Sequence, residues 1–228
     1  MLSSSAISKI TVNNINIPYV TTAKCLGVTI SNTLSWNSHV SNICNSIHKS
    51  LYQLKLHKNM LPIPLRQQLV STLIFPHFDY CCLVYADLTS ELNTKLQRSL
   101  NSCIRFILNI RKDQHITPHY FTLNWLTVDY RRKYFMGNFI YQLFRTQTPK
   151  YLYEMFTQKA ALDLRTTRTV DSRLYIQPHR TVTYQNSFTV AASRLWNDLP
   201  TDLTNKKSLP SFKFFYYNHL FELYKRDF

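Results

Sequence analysis

The chain has 228 residues, of which 45% are hydrophobic and 14% aromatic, so it can bury a core and is not an intrinsically disordered polypeptide. Its two glycines, Gly27 and Gly137, are too few for the glycine-rich loops that cradle phosphate in many nucleotide-binding folds. Lysine and arginine number 27 against 12 aspartates and glutamates, and the net charge of +15 favours a polyanionic partner, above all nucleic acid. A basic surface without a specific partner is the alternative.

The first 34 residues are predicted to form a β element. Residues 7–12 and 15–20 are short runs rich in β-branched side chains, and Asn13-Asn14 between them is typical of a hairpin turn. A further strand is predicted over 25–30, which is again short and β-branched.

A helical pattern begins at Ser35, where the spacing of apolar residues changes. It predicts a helix over 39–57 whose lysines lie outside the apolar stripe. The stripe consists of Val40, Ile43, Cys44, Ile47, Leu51 and Leu54. A second helix, from Leu65 to Ile74, has to adjust at Pro76, because proline has no backbone N–H to donate. A third is predicted over 89–109, and we assign residues 35–112 to one helical segment.

Residues 113–228 are predicted to form a further helical region, after a break in the pattern at 112–117. Thr127 can cap one helix, and Pro149 begins another turn of helix. Two helical pieces, over 188–196 and 208–225, close the chain. The Thr-, Ser- and Tyr-rich residues near 165–185 predict a small β-hairpin or an exposed loop. The fold class is therefore mainly α, with a β-hairpin and strand element at the N-terminus.

Two basic groups are candidate nucleic-acid contacts. Lys49, Lys55 and Lys58 lie off the apolar stripe of the 39–57 helix and could follow a phosphate backbone, although a solvated helix face is the usual role of such charges. The second group consists of arginines between residues 165 and 180, interleaved with tyrosines that could stack on unpaired bases. The alternative is that these charges keep an exposed hairpin edge soluble. This group comprises Arg165, Arg168, Arg173 and Arg180, with Tyr175 and Tyr184.

Metal and membrane sites are not predicted. The five cysteines form no C-x-x-C pair, and their odd number fits no closed disulfide framework. His115 and His119 could share a helix face, but two further zinc ligands at orderly spacing are missing. No apolar run approaches about 18 residues, and the start of the chain does not resemble a signal peptide. We expect an intracellular protein, in the cytoplasm or the nucleus, without membrane contact.

Four blocks of sequence resemble, in order, the region after the palm in reverse transcriptases of non-LTR (LINE-type, jockey-like) retrotransposons. The first, at 26–40, reads LGV followed by LSW..HV, and the second, at 74–81, reads I.PH.DYC. The third reads L.WL.V..R..Y at 123–134 and continues as P.YL at 149–152. The last reads SF.VAA.RLWN.LP at 187–200. Their order across nearly the whole chain makes the resemblance specific.

The resemblance implies a primer-grip-like β element over 1–34, thumb-like helices over 35–112 and the family's C-terminal region over 113–228. In the primer grip, Gly27 would let the backbone approach the primer phosphates and Lys24 would add a charge contact. An ordinary buried strand with a bulge at Gly27 is the alternative.

The palm of the family lies upstream of the LGV strand and carries three carboxylates that hold two Mg²⁺ ions. This chain has no acidic residue before Asp79, so no cofactor is expected in it and Mg²⁺ would belong to the palm. Tyr85-Ala86-Asp87 matches part of the family's YADD box, but Leu88 replaces the second carboxylate and the order relative to LGV is reversed. Asp87 is therefore predicted to be a helix-start or surface residue.

These features together predict a palm-less fragment of an RNA-directed DNA polymerase. It would bind template-primer, as RNA or an RNA–DNA duplex, and would not polymerise alone. A palm-bearing chain of the same element would be a further partner, and could complete a split polymerase. The alternative is a host-recruited basic helical protein that binds nucleic acid or acts as a scaffold without a polymerase role.

Overall fold

Two antiparallel hairpins begin the described part of the chain, which in this computed structural model comprises residues 10–159 and 173–227. In the first, β1 (Ile10–Val12) pairs with β2 (Ile15–Ile17). Asn13 and Asn14 form its turn, with φ angles of 49° and 61° in the left-handed region that asparagine tolerates. The predicted hairpin is present with shorter strands, and residues 7–9 lie outside the described range.

The prediction of one strand over 25–30 is wrong, because the chain reverses inside that segment. β3 (Thr22–Cys25) pairs with β4 (Val28–Ser31) as a second hairpin. Leu26 and Gly27 form the two-residue turn, with φ angles of 45° and 84°. The LGV motif is thus a turn followed by the start of a strand, and β-branched composition alone did not reveal the reversal.

Helices make up most of the remaining described residues, which confirms the mainly helical class. They are α1 (Asn37–Leu56), α2 (Ile63–Leu69), α3 (Phe75–Asp79), α4 (Ser90–Leu108), α5 (Thr117–Leu123), α6 (Val128–Thr146), α7 (Lys150–Tyr153), α8 (Val182–Gln185), α9 (Phe188–Asp198), α10 (Thr201–Thr204) and α11 (Leu209–Arg226). A short 3-10 turn, Lys58–Met60, follows α1.

The adjustment predicted at Pro76 is a turn of π-helix. This turn, Val70–Ile74, joins α2 to α3 and lies directly before Phe75 and Pro76. A proline inside a regular α-helix removes one hydrogen bond and its ring clashes with the carbonyl four residues earlier. The wider π turn avoids this conflict, so the helical path continues to Asp79.

The main hydrophobic core is shared by the two helical segments that the sequence predicted on either side of residue 112. The predicted stripe of α1 packs against α4 and the π turn, and all of its residues are buried except Leu54, which is partly buried. Tyr120, Trp125 and Val128, from the second segment, belong to the same buried cluster, as does Tyr224 of α11. The Phe75 and Trp125 rings, for example, lie 4.5 Å apart between centroids.

Helix α6 lies at the centre of the C-terminal region, where it contacts α3, α4, α9 and α11. Its contact with α11 is close at Gly137, where an added Cβ would stand 2.3 Å from Cε1 of Tyr216. The Tyr216 side chain is fully buried, and its hydroxyl donates to the carbonyl of Lys133 at 2.9 Å. Glycine at this position therefore allows the two helices to approach.

The small β-hairpin predicted near 165–185 falls partly on residues 165–172, which lie outside the described range. Beyond them, Leu174 makes an isolated antiparallel bridge with Gln158. The later residues form α8 instead of a strand, because the Thr181 hydroxyl caps this turn by accepting from the Tyr184 N–H at 3.3 Å.

Candidate nucleic-acid interface

A cleft of about 590 Å³ lies between the β3–β4 hairpin, α1 and α3. It contains both residues that the resemblance assigns to a primer grip, Lys24 and Gly27. The other lining residues are Thr29, His39, Asn42, Ile43, Asn45, Ser46, Pro76, His77 and Tyr80. Among the residues that the structure describes here, none carries a carboxylate. The cleft therefore carries the positive charge of Lys24 and no negative charge from its described lining residues.

The turn at the mouth of the cleft is fastened to the end of α3. The Tyr80 hydroxyl donates to the carbonyl of Leu26 at 2.8 Å. An added Cβ on Gly27 would stand 3.0 Å from Cε1 of the same tyrosine, in a backbone conformation that L side chains rarely adopt. The positive φ angle of the turn and the close Tyr80 ring thus both favour glycine at position 27, whether or not a ligand also approaches it.

His39 forms part of the cleft wall and is 5% exposed. Its Nδ1 accepts a hydrogen bond from the Thr29 N–H at 3.3 Å, so in the neutral ring Nε2 carries the proton. Burial lowers the pKa of His39, which favours that neutral form. Nε2 is itself buried and has no hydrogen-bond partner among the described residues.

One face of α1 continues from the cleft along the helix. Asn42, Asn45, Ser46 and Lys49 follow one another at the i, i+3, i+4 and i+7 spacing that places residues on one helix face. Asn42 also joins α1 to the hairpin, since its Nδ2 donates to Thr29 Oγ1 at 3.2 Å. Sequence reasoning missed the three short polar residues because it considered only the lysines, although their spacing was a usable signal.

The three lysines predicted on the 39–57 helix do not share a face. Lys49 lies opposite the buried stripe. Lys55, six residues later, is rotated from the direction of Lys49 by about 120° around the helix. Lys58 lies in the 3-10 turn after α1, and its ammonium donates to Asn109 Oδ1. The apolar stripe covers only part of the circumference of a helix, so positions off the stripe can point in quite different directions.

Several other basic side chains have structural partners and are not freely available to a ligand. Arg66 donates to the carbonyls of Leu61 and Lys58 at 2.7 and 2.9 Å. Arg131 forms a two-point pair with Asp79, in which burial raises the pKa of the carboxyl more than the guanidinium lowers it. The net charge of the chain therefore overstates the charge available for binding.

The arginine-rich group is only partly described. Arg165 and Arg168 lie outside the described residues, while Arg173 and Arg180 are exposed before α8. The Arg173 carbonyl accepts from the Lys159 N–H at 2.9 Å. This group belongs to a different part of the chain from the hairpin, α1 and α3 that form the cleft.

The partial YADD box has an internal role in the fold. Tyr85 is buried, its hydroxyl donates to the carbonyl of Phe78 at 3.1 Å, and its ring meets that of His39 at 4.9 Å between centroids. Asp87 is exposed and accepts from the Trp36 indole N–H at 2.7 Å. Within residues 10–159 and 173–227, no group of three or more His, Cys, Asp or Glu side chains is placed to hold a metal ion.

No protein-family profile, curated protein or solved structure matches the chain. No helix in the described residues is long and apolar enough to cross a membrane. The geometry of the cleft is thus the feature from which a function is best inferred.

Proposed function

We propose that this chain is the template–primer-binding region that follows the palm in a non-LTR retrotransposon reverse transcriptase. It binds an RNA–DNA duplex through the backbone, and the catalytic carboxylates and their Mg²⁺ belong to the palm. The residues of this chain add no nucleotide by themselves, and polymerisation requires a palm, on the same chain or on another chain of the same element. It acts inside the cell, in the cytoplasm or the nucleus.

The observation that carries this proposal is the continuous polar surface formed by the cleft and the adjoining face of α1. Lys24 contributes positive charge at one end and Lys49 at the other. Between them, the side-chain amides of Asn42 and Asn45 can donate to phosphate oxygens. This surface offers hydrogen-bond donors in a row without a competing carboxylate among the described lining residues.

Contacts of this kind position the protein on the duplex but carry little information about the base sequence. Amide, hydroxyl and lysine donors recognise phosphates and sugars, which are the same for every sequence. The A-like shape of an RNA–DNA duplex, with its accessible minor groove, is what such a surface can distinguish. We therefore infer weak sequence preference and strong dependence on salt.

The proposal is tested by the salt dependence of duplex binding. Each phosphate neutralised by a lysine releases counterions, so affinity falls as salt rises. Replacing Lys24 and Lys49 together by Ala should weaken binding to all RNA–DNA duplexes and flatten the log–log salt slope by up to about two units. Fluorescence anisotropy with a labelled duplex, over a range of salt concentrations, measures both quantities.

A charge-matched control is the double variant Lys55→Ala and Lys112→Ala. Both lysines are exposed and lie outside the cleft lining. If the control flattens the slope as much as the cleft variant does, binding follows net charge and the cleft is not the interface. If the unaltered chain does not bind at moderate salt, the template–primer proposal fails and a scaffold role is favoured.

A further inference from the structure

A polar groove of about 500 Å³ lies where α10 is followed by α11, and it shares no lining residue with the hairpin cleft. Its walls come from α10, from the link between the two helices and from the first turn of α11. The lining residues are Asp202, Asn205, Lys206, Lys207, Ser208 and Ser211. Ammonium, amide and hydroxyl donors are therefore gathered on one open surface.

Two exposed aromatic side chains continue this surface along α11. Phe214 is 63% exposed and Phe215 is 44% exposed, although phenylalanine is among the residues most often fully buried. Ser211, Phe214 and Phe215 follow at the i, i+3 and i+4 spacing that places residues on one helix face. The two rings meet edge to face, with their centroids 5.4 Å apart. The groove is thus extended by a pair of rings that face solvent.

Lys206 joins the groove to the rings. Its Nζ lines the groove side of the pair and lies 4.0 Å from the centroid of the Phe215 ring. Arg145 of α6 also reaches the groove, since its Nη2 donates to the carbonyl of Lys207. The aromatic pair is therefore surrounded by basic side chains at short distance.

Positive charge exceeds negative charge around the pair. Asp202 opposes the binding of an anion, but it is the one carboxylate in the described lining of the groove. Glu222, further along α11, is paired with Lys225 at 2.7 Å. The basic side chains at or beside the groove and the rings are Arg145, Lys206, Lys207 and Lys213. An anionic partner is favoured by this balance.

The exposed rings distinguish among anionic partners. In a duplex the base faces are covered by their neighbours, so a duplex would use the lysines and leave the rings without a role. A bilayer surface requires a broad apolar helix face, whereas Asn218 and Glu222 follow Phe214 on this one at successive intervals of four residues. An unpaired strand offers phosphates to the lysines and open base faces to the rings.

We propose that the α10–α11 groove and the Phe214–Phe215 pair bind an unpaired RNA or DNA strand. A base of the strand stacks on Phe214, and its phosphates lie against Lys206 and Lys207. This site is separate from the duplex-binding cleft and does not depend on the role proposed for that cleft.

The test compares strands with and without bases. The probes are labelled oligo(U) and oligo(dT) of about twelve nucleotides, and an abasic strand of each backbone. In fluorescence anisotropy with the full chain, at least one base-bearing strand should bind at least about tenfold more tightly than its abasic counterpart, because stacking adds to backbone attraction. The difference between oligo(U) and oligo(dT) identifies RNA or DNA as the preferred strand.

Matched variants locate the stacking site. Phe214→Ala combined with Phe215→Ala should weaken binding of the preferred strand at least about tenfold. Phe214→Trp, which keeps an aromatic face, should retain binding. Tyr151→Ala removes a ring that is 68% exposed on α7, outside the groove, and should leave binding unchanged. Circular dichroism melting checks that each variant folds.

Four results would each overturn the proposal. The first is equal binding of base-bearing and abasic strands to the unaltered chain, a comparison that requires no variant to fold. The second is undiminished strand binding by the folded double alanine variant. The third is an equal loss of RNA–DNA duplex binding in that variant, which would show that the rings do not act on unpaired bases. The fourth is sedimentation with phosphatidylserine vesicles that requires both rings while strand binding does not, which would assign the face to a membrane.

Discussion

Gly137 illustrates how the absence of one side chain sets the distance between two helices. It lies in the middle of α6, where glycine is the poorer helix former by about 1 kcal/mol relative to alanine. Helix propensity alone would therefore favour alanine there. The ring of Tyr216 occupies the space that a Cβ would need, and packing decides against propensity.

Gly137→Ala should destabilise the chain by about 1–3 kcal/mol, the usual cost of overpacking a filled core. The buried Tyr216 ring cannot move away cheaply, because its hydroxyl is bonded to the Lys133 carbonyl. Urea unfolding followed by circular dichroism measures the free energy of unfolding. Gln142→Ala, at an exposed position on the same helix, is the control and should change it by less than about 0.5 kcal/mol.

The same experiment includes a rescue. Shortening the opposing side chain, with Tyr216→Leu, should make the two substitutions cost less together than the sum of their separate effects. A stabilising effect of Gly137→Ala alone would mean that α6 and α11 are further apart than the structure has them.

At the scale of the element, helix starts were the features most readily predicted from the sequence. Thr89 and Thr127 precede helices α4 and α6, and each hydroxyl accepts a backbone hydrogen bond from the first turn. Such caps satisfy N–H groups that have no partner within the helix. They depend on a few adjacent residues, so local sequence is sufficient to locate them.

Thr89→Ala should destabilise the chain by about 1 kcal/mol, because the cap to the Leu92 N–H is lost. Ser187→Ala provides a matched comparison at the start of α9, where the hydroxyl makes no such cap bond. Thermal or urea unfolding of both variants tests the difference. If Ser187→Ala costs as much as Thr89→Ala, the cap is not the source of the effect.

At the scale of the whole molecule, the shared core determines how the chain unfolds. The predicted segments 35–112 and 113–228 both contribute to the buried cluster around α1 and α4. The Arg131–Asp79 pair also joins them, with both side chains largely buried. Segments linked in this way are expected to stabilise one another, and neither buries its own apolar surface completely.

A chain ending at residue 112 should therefore fail to unfold cooperatively, because it loses Trp125, Val128 and Tyr224 from its core. The full chain should show coincident transitions by circular dichroism and tryptophan fluorescence. Mixing the two pieces, 1–112 and 113–228, should restore a transition if the shared core is what each lacks. A cooperative transition in the first piece alone would show that the predicted boundary separates independent domains.

Local sequence determined the mainly helical class, the first hairpin, the apolar stripe of α1, the start of α4 near Thr89 and the cap of α6. These features arise from interactions between residues that are close in the chain, such as helical periodicity and turn chemistry. The break predicted at 112–117 was also real as a local interruption, since α4 ends at Leu108 and α5 begins at Thr117. The same pattern does not show whether the segments on its two sides fold as separate domains.

Only the tertiary structure decided which basic residues line the cleft and which have partners within the fold. The sequence gives no basis for distinguishing Lys24, Lys49 and Lys58. In the structure, Lys24 lines the cleft and Lys49 extends its polar surface, whereas Lys58 donates to Asn109. Arg131 and Arg132 are adjacent, yet Arg131 pairs with the Asp79 carboxylate, whereas Arg132 donates to the Asn93 side-chain oxygen and has no carboxylate partner among the described residues. The difference arises because burial and pairing depend on residues distant in the chain, such as Asp79 and Asn93, which only the folded path brings within hydrogen-bond distance.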